Sequence, residues 1–88
     1  MRTETIEIYS DTINAPVMRH PERKFPGMLI QGDTLYSLSG MAARAFVSAS
    51  PQSDQWYELK DLMEALQSRV DLYANVMRDH GLDLPFVD

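Results

Sequence analysis

The chain has 88 residues, 44% of them hydrophobic and 24% charged, with a net charge of −5 and no cysteine. That length leaves room for one domain, residues 1–88, with a thin core, and the composition is too apolar for a disordered chain. Without cysteine no disulfide staples so small a core, which points to a reducing compartment, the cytoplasm, and to stability from packing alone.

The charge is unevenly placed. Residues 1–30 hold four basic and four acidic groups, and residues 31–88 hold four basic and nine acidic. Such a chain is repelled by a nucleic-acid backbone and attracted to basic partners, so a protein partner is expected and nucleic acid is not. The first residues alternate polar and apolar, the wrong texture for a signal peptide. A run of about 18 apolar residues, as a membrane span requires, is missing.

In chain order, Thr3 to Tyr9 put Ile6 and Ile8 on one face and Thr5, Glu7 and Tyr9 on the other, the period of a half-buried strand. Ser10 to Asn14 read as a turn. Pro16 to Arg19 form a second extended piece, confined to an edge because Pro16 has no N–H to donate. Pro21, Pro26 and Gly27 bracket a stiff loop, and Met28 to Gln31 read as a short strand covered on both faces.

Asp33 then precedes apolar residues at Leu35, Leu38, Met41 or Ala42, Ala45 and Phe46, so it is the expected N-cap of a helix over about 34–47. Gly40 within that helix costs about 1 kcal/mol relative to alanine and suggests the close approach of another backbone. Ser50 followed by Pro51 reads as the start of a second helix over about 51–80. Along it Leu59, Met63, Leu66, Val70, Tyr73 and Met77 step by three or four residues, a heptad-like seam. The end at His80-Gly81 fits a Schellman closure with Leu82 opposite Met77. The fold expected is α+β: a small antiparallel sheet of two or three short strands packed on a C-terminal helical hairpin. The longer helix outreaches the shorter one, so part of its seam is expected to need another cover.

Four groups of residues are candidates for function. Arg19, His20, Arg23 and Lys24 display basic side chains on a proline-braced loop and suit a carboxylate, a phosphate or an acidic patch. The bland reading is that these charges complement the chain's own acidic helix or simply solvate a turn. Gln31 to Thr34 present a helix amino end, where Asp33 serves as a plain cap, since neither a multi-glycine run nor a Gly-Lys-Ser/Thr motif is present. Trp56 and Tyr57 are the kind of aromatic anchors that dominate interfaces, with a core role equally open for Trp56. Glu58, Asp61 and Glu64 belong to an acidic face that could steer a basic protein, or simply be wet.

No chemistry emerges from the remaining residues. His20 and His80 are the only histidines and share no metal-ligand spacing, and no nucleophile elbow or cysteine nucleophile is present. The expectation is therefore a non-enzyme without metal or cofactor.

The stretches Glu7-Ile8-Tyr9-Ser10-Asp11-Thr12, Val17-Met18-Arg19-His20-Pro21, Phe25-Pro26-Gly27 and Leu29-Ile30-Gln31-Gly32-Asp33-Thr34-Leu35 resemble a small uncharacterised bacterial protein family, a domain of unknown function. The resemblance implies a bacterial, intracellular, stand-alone protein and carries over no activity, cofactor or catalytic residue. The function expected is a protein-interaction module, immunity- or inhibitor-like, that occludes a basic partner through the acidic helix or through the Arg19–Lys24 loop. A homodimer through the long-helix seam and a small-anion or nucleotide binder through the Arg19–Lys24 loop are the alternatives.

Overall fold

The computed structural model describes residues 1–87 in the order β1 (Glu7–Ser10), β2 (Val17–Arg19), β3 (Gly27–Met28), α1 (Gly32–Ser48) and α2 (Asp54–Asp79). The class is α+β, with a three-stranded antiparallel sheet followed by two helices, as the sequence implies. The chain divides into two compact units, Met1–Gln31 and the residues from Gly32 onward.

In the first unit β2 is the central strand, not an edge. Pro16 does not prevent this, because it lies just before the strand and contributes its carbonyl, which accepts the Leu29 N–H at 3.0 Å. Glu7 pairs with Arg19 and Ile8 with Met18, and the register then slips so that Ser10 meets Val17 and Tyr9 is the extra residue of a bulge. Residues 3–6 fall outside the strand because β2, three residues long, has no further groups to pair with them. β3 stops after Met28 rather than running to Gln31, and Met28, Leu29 and Ile30 are exposed, so the expected two-sided cover is absent. No side chain of residues 1–31 is buried.

The second unit is a helical hairpin with a tail. α1 and α2 measure roughly 26 and 39 Å at about 1.5 Å per residue, from 17 and 26 residues. Antiparallel contacts run their length: Gly32 lies against the Tyr73 ring, Ser39 donates to Gln67 at 3.3 Å, and the Phe46 and Trp56 rings are 5.1 Å apart. The buried residues here are small: Gly32, Ser39 and Ala42 on α1, with Val70 and Ala74 on α2. Small side chains let the helix axes approach, so the core is a narrow seam rather than a thick layer.

The expected seam from Leu59 to Met77 is the covered face of α2. The tail returns to the hairpin. Phe86 stacks on Tyr36 with centroids 4.2 Å apart and lies 6.2 Å from Tyr73, while the Tyr36 hydroxyl donates to the Val87 carbonyl at 3.0 Å. The tail thus adds to the shorter helix's cover around Tyr73.

The helix ends show which local signals the chain obeys. α2 begins at Asp54, not Pro51, because Ser53 is the N-cap: its hydroxyl accepts the Trp56 N–H at 3.1 Å. Ser50 to Ser53 instead form the reversing turn, with the Ser53 N–H on the Ser50 carbonyl at 3.1 Å and Gln52 in the left-handed region at φ 64°. At the other end Leu82 N–H reaches the Met77 carbonyl and Gly81 N–H the Arg78 carbonyl, with Gly81 at φ 66°, which is the expected Schellman closure. His80 Nδ1 adds a 2.9 Å contact to the Val76 carbonyl.

Asp33 is not an N-cap. α1 already starts at Gly32, so Asp33 lies in its first turn, where its carboxylate accepts the Thr34 N–H at 2.8 Å and suits the positive helix end. The close approach expected at Gly40 occurs at Gly32 instead. A Cβ at Gly40 would meet only the mobile Arg44 guanidinium at 3.2 Å, whereas one at Gly32 would overlap the Tyr73 ring.

Candidate functional site

The basic loop is more occupied than its composition implies. Strand register sets Arg19 opposite Glu7, so its guanidinium pairs with that carboxylate and also donates to the Arg23 carbonyl at 3.0 Å. Hydrogen bonding to Glu7, and secondarily to Tyr9, raises the Arg19 pKa further above its ordinary value. Lys24 sits over the Phe25 ring, 5.5 Å from its centroid, as a cation–π pair. Glu22, the loop's acid, meets Arg2 at 3.4 Å. A turn closed by the Arg23 N–H on the His20 carbonyl at 3.0 Å holds the loop, and His20 Nδ1 accepts the Glu22 N–H. Of the four basic-loop candidates, Arg19 and Lys24 are committed within the loop and sheet, and His20 and Arg23 are left beside an apolar groove.

The α2 candidates separate by side. Trp56 is half-buried between Phe46 and Tyr57, meeting the Tyr57 ring edge-on at 5.0 Å, so it fastens the helix junction. Tyr57 points outward and is 52% exposed. Glu58 and Asp61 lie on the same outward side without an ion-pair partner within 4.0 Å among the described residues, whereas Glu64 is held by Lys60 at 2.6 Å. That pair, with Glu64 first and Asp61 behind it, raises the Lys60 pKa. A groove of about 560 Å³ runs beside them, lined by Gln55, Glu58, Leu59 and Leu62.

A second side of α2 also carries apolar side chains. Leu62 is 50% exposed, Leu72 65% and Val76 46%. With Ala65 and Arg69 they step by three, four, three and four residues, a second heptad-like row about 100° around the helix from the buried seam. Its spacing is legible in the sequence, but the seam is the longer apolar stripe and masks it. Leu62 borders the groove, while Leu72 and Val76 follow about three and four turns further along α2, with Arg69 between Leu62 and Leu72.

Among the described residues no group of three or more histidines, aspartates or glutamates could hold a metal ion, and no helix is long and apolar enough to cross a membrane. Asp33 stands alone in the first turn of α1 and assembles with none of the other candidates in its unit. What the hairpin offers is a surface: apolar row, tyrosine and acids on one helix.

An α+β chain with a three-stranded antiparallel sheet and a helical hairpin, and with an exposed apolar and acidic helix face, is thus defined by its own geometry. The chain belongs to the family of unknown function DUF6959, whose match covers residues 1–86. No curated protein and no solved structure matches it.

Proposed function

We propose that this chain is a non-catalytic protein-binding module that docks a basic protein surface on the outward face of α2, in the manner of an inhibitor or immunity protein. The supporting observation is that one helix carries exposed Leu62, Leu72 and Val76 together with exposed Tyr57 and the carboxylates of Glu58 and Asp61, which have no ion-pair partner within 4.0 Å among the described residues. Apolar side chains at half exposure supply the driving force on docking, at about 25 cal/mol per Å² removed from water. Tyr57 is the anchor, and the two acids, with a net chain charge of −5, steer a basic partner toward the same face. A cysteine-free chain that relies on packing supports a reducing setting such as the cytoplasm.

A photoreactive amino acid placed at position 62 in the native host tests this reading, with position 47, an 82% exposed valine on α1, as the control. The expected adduct forms from position 62 alone and joins the chain to a protein with a basic surface. Adducts from both positions alike, or from neither, would remove α2 as the docking face.

A further inference from the structure

We propose that the sheet carries a second site, a groove over Gly27 that binds a small carboxylic acid with an aliphatic or aromatic body. Register creates the groove. Met18 on the central strand pairs with Ile8 on one side and with Gly27 on the other, and Gly27 has no side chain to continue that face. A Cβ built at Gly27 would meet nothing within 4 Å, so the space above it is open. The resulting groove of about 340 Å³ is walled by Ile6, Met18, Phe25 and Leu29, with His20 and Arg23 at its margin.

The polar margin determines the ligand's head. Arg19 is committed to Glu7, Lys24 lies over Phe25 and Glu22 faces Arg2, which leaves Arg23 without a carboxylate partner within 4.0 Å among the described residues. Because His20 Nδ1 accepts the Glu22 N–H, the neutral ring carries its proton on Nε2, a second donor. Arg23 and His20 both line the groove, and a guanidinium fork with an imidazole N–H matches a planar carboxylate, which accepts two parallel bonds from arginine. The apolar walls match the ligand's body. A volume near the lower end of the roughly 300–1,000 Å³ range for small-molecule sites favours a medium-chain or single-ring acid over a long fatty acid.

Gly27 makes the site testable. Its φ lies outside the left-handed region, so a larger residue is sterically tolerated by the backbone and would fill the groove. The full-length ¹⁵N-labelled protein is titrated with 4-phenylbutyrate, with the neutral amide of the same acid and with a peptide ending in phenylalanine. The expected result is saturable shifts at Met18, His20, Arg23 and Gly27 with the acid, and at least tenfold weaker binding of the amide. Gly27→Leu should abolish the shifts while keeping dispersed strand resonances, and Arg23→Gln should weaken binding about tenfold, the equivalent of about 1.4 kcal/mol. If Gly27→Leu does not fold, the Arg23→Gln and amide comparisons decide. Equal binding of acid and amide, binding unchanged by Arg23→Gln, no shifts at all, or saturation by the peptide but not the acid would each overturn the proposal.

Discussion

Gly32→Ala tests the packing of the helical hairpin at its tightest point. In an ordinary helix, glycine to alanine is stabilising by roughly 0.5–1 kcal/mol. Here the added Cβ would stand 2.5 Å from Tyr73 Cε1 and closer still to Cζ and Oη. Carbon atoms settle at about 3.5–4.0 Å, so the ring must retreat by about 1 Å or more. Phe86 flanks the same ring at 6.2 Å between centroids and limits that movement. Overpacking of this kind costs about 1–3 kcal/mol, which exceeds the helix gain and leaves a net loss of about 1–2 kcal/mol. For a chain of this size that is a fall in Tm of roughly 5–15 °C. Gly40→Ala is the control: its Cβ meets only the end of Arg44 at 3.2 Å, so the helix gain survives and Tm should rise by a few degrees. In a Tyr73→Leu background Gly32→Ala should lose its penalty, a coupling measurable by thermal or urea unfolding of the four-member cycle. A Gly32→Ala protein as stable as Gly40→Ala, or a penalty that persists without the tyrosine ring, would refute the close approach.

Ser53→Ala should cost about 1 kcal/mol in urea unfolding and Ser50→Ala a few tenths, because only the Ser53 hydroxyl caps α2; equal losses would return the helix start to Pro51. Gln52→Gly should be neutral to stabilising by up to about 1 kcal/mol, since Gln52 holds φ 64°, while Gly81→Ala should lose about 1–2 kcal/mol at φ 66°. Phe86→Ala should lower stability by about 1–2 kcal/mol and speed hydrogen exchange at the start of α1, by removing the ring stacked on Tyr36; unchanged exchange there would detach the tail from the hairpin.

What could be read from the sequence was whatever rests on a local rule. The seam from Leu59 to Met77 is covered because its period matches a helix, and Gly81 closes α2 because glycine tolerates the left-handed conformation that the turn requires. Two serines stood in capping position, and choosing between them depended on Gln52 leaving the helical region, which no residue preference announces. The basic loop looked free because the Glu7–Arg19 pair exists only once the strands are in register. Local pattern marks Gly32 only as part of a junction and Gly40 as a point of close approach; the difference is set by Tyr73, some forty residues from Gly32 in the chain. The tail's role was equally illegible, since the Phe86 stack on Tyr36 is a long-range contact with no periodic signature. The outward row of Leu62, Leu72 and Val76 is legible in principle, since it stands at helical spacing one position before the seam.

The central claim is that α2's outward face carries the binding. Its most direct test is the affinity of the protein captured from position 62 for the wild-type chain, for Tyr57→Ala and for the Glu58→Lys, Asp61→Lys pair, at low and high salt. The expected result is about a tenfold or greater loss for the tyrosine variant, a larger loss for the charge reversal, and wild-type binding that weakens as salt screens the acids. Affinity unchanged in both variants, with circular dichroism showing intact helices, would contradict the assignment of this face.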